Sequence, residues 1–170
     1  MNISNKKTMK QIAKQLVKDN ILGTRKGLPT PRFQHSLNVG QTLETLGFNE
    51  NVVLAGMLHD TLEDSSMTVE DLQAYGFDNS VIELVKLCTH DDSIKNKDAR
   101  WIHMIGRIID RKSDEALAIK MADLLDNLKD CHSLSESRRD IMRGIKVKNL
   151  ILVSNEVDSL STLNSMLANA

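Results

Sequence analysis

Apolar residues at Met9, Ile12, Ala13, Leu16 and Val17 recur at helical spacing and predict an amphipathic helix ending near Asn20 or Gly23. Residues 23–31 contain two glycines and both prolines of the chain, so the pattern breaks there into a loop. A second helix is predicted from Arg32 to Leu46, stopped by Gly47, and a third from about Asn51 through Asp64. Thr68 followed by Asp71 has the form of a capping pair for a short helix ending at Gly76, and Val81 to Thr89 reads as another. His90-Asp91-Asp92-Ser93 is a polar break. Trp101, Ile102, Ile105, Ile108 and Ile109 then mark a further amphipathic helix, and Asp114 to about Lys129 is a strong helix former with an acid at its start. Residues from about Ser137 to Met166 are again helical. Sustained alternation with period two is absent and the β-branched residues sit within helical patterns, which predicts an all-α single domain over residues 1–170 without internal repeats.

Hydrophobic residues make up 41% of the chain but aromatics only 3%, so aliphatic side chains and the 8 methionines must fill the interior. A net charge of -1, from 22 basic and 23 acidic residues, supplies no broad positive field and argues against nucleic acid as a partner. A small anionic ligand needs only a local basic cluster. Arg25-Lys26, between the two glycines of the 23–31 loop, either supplies such a cluster or belongs to a solvated connector. Cys88 and Cys131 lack the short paired spacing of zinc motifs and read as reduced, buried thiols. No uncharged run of about 18 residues and no apolar leader follows the N-terminal lysines, so a cytoplasmic protein without membrane contact is expected.

The chemistry concentrates in His59-Asp60-Thr61-Leu62-Glu63-Asp64, with His35 upstream and Asp123 far downstream. On a helix, residues four apart share a face, so His59 stacks over Glu63 and Asp60 over Asp64, while Asp123 and Asn127 share a stripe with Lys120 a turn earlier. Adjacent residues point about 100° apart, so His59 and Asp60 can share one ion only if it sits astride them or the helix is distorted. Met57-Leu58 precedes His59 and Met121-Ala122 precedes Asp123, and charged groups amid apolar helix are costly unless compensated. Any one of these residues alone could be a satisfied core histidine or a helix-capping acid. His35, His59, Asp60 and Asp123 together point to a divalent metal ion.

Imidazole mixed with carboxylate suits Mn, Fe, Zn or Ni, with Mg less favoured, and such an ion polarises a phosphoryl oxygen and acidifies water. Glu63 and Asp64 lie within reach of that water as general base or orienting group. His90, His103 and His132 lack partners at helical spacing and read as surface or loop histidines. No glycine-rich phosphate loop and no Ser or Cys nucleophile motif is present, which disfavours covalent catalysis.

In this order and context, His35, His59-Asp60 and Asp123 resemble the HD-domain metal phosphohydrolase superfamily. Leu58-His-Asp-Thr-Leu-Glu-Asp64, Arg25-Lys26 and Ile119-Lys-Met-Ala-Asp-Leu-Leu-Asp-Asn127 narrow the resemblance to its guanosine polyphosphate 3′-pyrophosphohydrolase branch, which includes RelA/SpoT-type hydrolase domains and stand-alone small alarmone hydrolases. The resemblance covers about residues 16–134, leaving a C-terminal helical segment at about 137–166. It implies an HD-type helical bundle in which His35, His59, Asp60 and Asp123 hold one ion, usually Mn2+, and Glu63 and Asp64 activate water. It further implies that Asn127 contacts substrate, that Arg25 and Lys26 flank the base, and that the 3′-pyrophosphate of (p)ppGpp is removed to give GDP or GTP. A homo-oligomer is compatible with it.

Leu124 stands where that branch commonly has Arg, and Asp126 where it often has an aromatic residue or His. His90-Asp91-Asp92 is acidic where the branch is often basic, leaving Lys95, Lys97 and Arg100 for phosphate. Two other readings use the same metal site. One is an HD-type nucleotide phosphatase or phosphodiesterase, against which Glu63-Asp64 and the Arg25-Lys26 loop argue. The other is a non-catalytic nucleotide-sensing module, motivated by Leu124 and Asp126.

Overall fold

Several helices begin where a short polar side chain takes over unpaired backbone amides. In the computed structural model, which describes residues 7–170, Thr8 caps α1 (Met9–Asn20) through a capping box with Gln11, and Asn49 caps α3 (Glu50–Leu58). Residues 1–6, the start of the predicted domain and of its N-terminal lysines, lie outside the described residues. The predicted Thr68/Asp71 pair forms a capping box at the head of α5 (Val69–Ala74), and Ser113 caps α8 (Asp114–Lys129). Glycines in the left-handed region, Gly47 after α2 (Arg32–Thr45) and Gly76 after α5, stop the chain as expected. Between α3 and α5 lies the short α4 (Thr61–Asp64); α6 (Asn79–Cys88) and α7 (Lys97–Asp110) follow. The described residues form helices without a named strand, in agreement with the all-α expectation.

The bundle is organised around α8. Its residues from Ala116 to Met121 are buried on every side, and it packs against α2, α3, α6 and α7. The C-terminal segment is helical in pieces: α9 (Glu136–Ile141), a π-helical stretch Met142–Val147, α10 (Lys148–Ser154) and α11 (Ser161–Ala168). Leu150, Leu163 and Leu167 seat α10 and α11, which pack on α8. Both cysteines are free and buried, as expected. In α7, Trp101, Ile105 and Ile108 face the core with Met104, whereas Ile102 and Ile109 of the predicted apolar set are exposed. Among the described residues, no helix is long and apolar enough to cross a membrane.

Helices α2 and α3, which carry the histidines of the site, meet at two glycines. A Cβ on Gly40 would lie 2.3 Å from Met57 Cγ and 3.3 Å from the Val53 carbonyl oxygen, and one on Gly56 would lie 2.4 Å from Leu43 Cδ1. Replacing Gly by Ala in a helix ordinarily gains about 1 kcal/mol, whereas overpacking costs about 1–3 kcal/mol. Gly40→Ala is therefore expected to lower the denaturant midpoint. Gly106→Ala in α7, where a Cβ meets nothing within 4 Å, should raise it. A Gly40→Ala protein as stable as Gly106→Ala would show that the contact relaxes freely.

Candidate metal centre and active site

Three elements bring His35, His59 and Asp123 to one point, with Asp60, the fourth predicted ligand, beside both histidines. His35 comes from the buried face of α2 and Asp123 from the middle of α8. His59 and Asp60 come from the junction of α3 and α4, where the expected continuous helix through Asp64 is interrupted. Helix α3 ends at Leu58, and Asp60 takes φ -92 and ψ -3, which frees the adjacent side chains from the angular separation of a regular helix. His35 Nε2 stands 3.1 Å from Asp123 Oδ1 and 3.7 Å from Asp60 Oδ2. His59 Nε2 stands 3.1 Å from Asp60 Oδ1 and 3.9 Å from Asp123 Oδ1. Ligand atoms of His35, His59 and Asp123 all lie within 4.8 Å of one another, a spacing that suits a shared ion.

The protonation pattern fits a cation at this point. His59 Nδ1 donates to the Gly56 carbonyl at 2.8 Å, which leaves Nε2 with its lone pair. That atom is buried, without a hydrogen-bond partner, and faces two carboxylates. A lone pair aimed at anionic oxygens is repulsive unless a cation lies between them. Burial disfavours the charged form of His35, but hydrogen bonds to Asp123 and Asp126 outweigh it and lift its pKa to about 10. Burial likewise opposes ionisation of Asp123, yet Lys120 and then His35 hold its carboxyl well below the usual range.

Lys120 is 5% exposed, and its Nζ lies 2.5 Å from Asp123 Oδ2. Asn127, a turn beyond Asp123, donates to Asp123 Oδ1 at 2.5 Å and accepts from Arg25 Nη2 at 2.7 Å. Arg25 is thus drawn from the loop onto α8, while Lys26 beside it is exposed. Arg25, Lys26, Lys120 and Asn127 line a cavity of about 520 Å3 that opens onto His35, Asp60 and Asp123. Lys146, on the π-helical stretch, faces the same cavity, 5.4 Å from the centre of the Trp101 ring.

Asp64 lines this cavity beyond the candidate ligands, whereas Glu63 lines an adjoining pocket that shares Asp64, His90 and Lys146 with it. Asp64 pairs with Arg32; burial, and after it the Asp60 charge, raises its pKa. Glu63 accepts from the His90 backbone at 2.7 Å and from His90 Nδ1 at 2.8 Å. His90, read from sequence as a surface or loop histidine, does lie in a loop but is turned inward to hold Glu63. Its partner is 27 residues away, so helical spacing carried no signal of it. Asp126 is 2% exposed and is the residue that His35 Nδ1 meets, at 2.7 Å. That partner is 91 residues away, so spacing along the chain gave no sign of it.

A helical bundle that joins a histidine, a His-Asp pair at a helix break and an aspartate of the central helix has the architecture of an HD domain. The HD-domain family model matches residues 11–146, and the chain belongs to this family. Among its relatives, guanosine-3′,5′-bis(diphosphate) 3′-pyrophosphohydrolase MESH1 of Drosophila melanogaster is 34% identical over 103 residues, which is 59% of this chain and 56% of that protein. The guanosine-3′,5′-bis(diphosphate) 3′-pyrophosphohydrolase of Aquifex aeolicus is 33% identical over 110 residues, 64% of this chain and 16% of that protein. The chain thus spans little more than half of the first and a small part of the second. A solved structure described as a metazoan ortholog of SpoT that hydrolyzes ppGpp superposes with a TM-score of 0.79 at 28% identity, covering 98% of this chain and 95% of that one. A crystal structure from Listeria monocytogenes EGD-e superposes at 0.62 with 30% identity, covering 81% and 93% respectively.

Proposed function

We propose that this chain is a metal-dependent phosphohydrolase that removes the 3′-pyrophosphate of (p)ppGpp to give GDP or GTP. The observation that carries the reading is the unpartnered, buried His59 Nε2 among His35, Asp60 and Asp123, at the edge of a cavity walled by Arg25, Lys26, Lys120 and Lys146. Those four ligands would hold one ion, for which Mn2+ is our assignment. When bound, it supplies Lewis acidity toward a phosphoryl oxygen and lowers the pKa of water.

The remaining steps belong to the chain. Lys26 and the lysines of the cavity attract the anionic substrate, and Arg25, its donors held by α8, presents its remaining surface beside the base. Asn127 supplies a polar contact at the wall. As water attacks the phosphorus and the bond to the ribose 3′ oxygen breaks, Glu63, with Asp64 beside it, takes one proton from the water, and that proton is returned to the departing 3′ oxygen. A small phosphorylated nucleotide as partner and a cytoplasmic setting belong to the same reading. The two relatives named as 3′-pyrophosphohydrolases and the superposition on the SpoT ortholog support the substrate.

The test offers the purified protein with Mn2+ three substrates: ppGpp, a deoxynucleoside monophosphate and a cyclic nucleotide. Asp60→Ala serves as control. Pyrophosphate release from ppGpp alone, lost in the control, is the expected outcome. Phosphate release from the monophosphate, opening of the cyclic nucleotide, or tight ppGpp binding without turnover would replace the proposal by a phosphatase, a phosphodiesterase or a sensor.

A further inference from the structure

We propose that Asp126 is the positioning residue of the metal site: it fixes the His35 ring for ligation through Nε2 and anchors the Arg25 loop on the same carboxylate. This rests on the reading of His35 as a metal ligand. Asp126 Oδ2 receives His35 Nδ1 at 2.7 Å and Arg25 Nη1 at 2.8 Å. Its Oδ1 receives Asn38 Nδ2 at 3.1 Å and Lys129 Nζ at 3.2 Å. An ionised carboxylate accepts about four hydrogen bonds, so this one is saturated by groups from the loop, α2 and α8.

Because a carboxylate only accepts, the hydrogen must sit on His35 Nδ1. Nε2 is then the atom left facing Asp60 and Asp123, as ligation requires. The loop is tied to the end of α8 by two further contacts, Arg25 Nη2 to Asn127 Oδ1 at 2.7 Å and Arg25 Nε to Oδ2 of Asp130, the residue that follows the helix, at 3.1 Å. One side chain therefore serves both a metal ligand and the loop at the mouth of the cavity. Where His59 uses the Gly56 carbonyl to set its tautomer, His35 uses this carboxylate.

Three measurements test this on the whole chain. By calorimetric titration with Mn2+, Asp126→Asn is expected to bind about 10–100-fold more weakly than wild type, with an unchanged far-ultraviolet spectrum. Ring 15N spectra of the Zn2+-loaded wild type should show the proton on His35 Nδ1, with Nε2 as the ligand. Trypsin should cut after Arg25 or Lys26 faster in Asp126→Asn. Equal Mn2+ affinity in the folded variant, or Nδ1 as the ligating atom, would overturn the positioning role; unchanged trypsin cleavage would remove the loop anchor. Should Asp126→Asn not fold, the wild-type spectrum and an Asp126→Glu variant, expected to recover part of the affinity, decide. A wild type that binds neither ion defeats the metal reading itself, an outcome distinct from wild-type binding matched by the variant.

Discussion

Replacing Glu63 by Gln is expected to lower turnover of the nucleotide substrate about 10²- to 10⁴-fold, the range for loss of a general base, while leaving Mn2+ affinity within a few-fold of wild type. The separation follows from the geometry. Glu63 sits on α4, one turn past Asp60, and both of its oxygens accept from His90, so neither belongs to the four groups at the proposed ion site. The amide keeps the shape and one acceptor for His90, but it cannot take a proton. Its effect should therefore fall on kcat, with KM for the nucleotide little changed. Asp64 cannot simply take over, because it is paired with Arg32. Steady-state kinetics beside calorimetry with Mn2+ read both halves. A variant with wild-type kcat would take Glu63 out of the proton path, and one that lost Mn2+ as well would make its role structural.

How much of this was readable before the fold was known differs from residue to residue. The four candidate ligands were singled out chiefly because His59-Asp60 and Asp123 interrupt apolar helical runs, and burial without compensation is costly enough that such interruptions carry information. The same periodicity located α1, α2, α6, α7 and α8 to within a few residues. It failed at His59-Asp60, where Thr61-Leu62 continue a helical pattern and no glycine or proline marks the break between α3 and α4. It also gave no sign that Ile102 and Ile109 would face outward, since an apolar stripe does not show how wide the covered face is. Asp126 and His90 escaped for a different reason. Their roles depend on partners 91 and 27 residues away, and pairwise contacts at that range leave no spacing signature in a single sequence. Asp126 stood out only as an acid where the resembled branch has an aromatic residue or His, yet it has the fullest set of hydrogen bonds near the site.

Metal-stripped protein is expected to lose stability as the pH rises from 6.5 to about 10, and Mn2+ is expected to reverse that trend. In the folded chain His35 titrates at about 10 instead of 6.5, because Asp123 and Asp126 outweigh the cost of burying its charge. A group whose pKa is raised by folding stabilises fully below its unfolded value, and that contribution disappears as the pH climbs through the folded value. For His35 the amount at stake is on the order of 4–5 kcal/mol, a large share of the roughly 5–15 kcal/mol that holds a typical domain folded. The Cys88 thiol, pushed up to about 12 chiefly by burial, adds a loss of the same sign above pH 9. Lys146, whose ammonium is disfavoured by burial, works the other way, and comparison with a His35→Gln variant cancels both contributions. Ligation through His35 Nε2 requires that nitrogen to be free of its proton, so Mn2+ affinity should grow by about tenfold per pH unit in this window. Melting temperatures measured between pH 6.5 and 9, with chelator and with Mn2+, should accordingly diverge, and chelator-treated His35→Gln should lack the wild-type decline. Parallel wild-type and His35→Gln profiles in chelator would mean that His35 carries no excess proton.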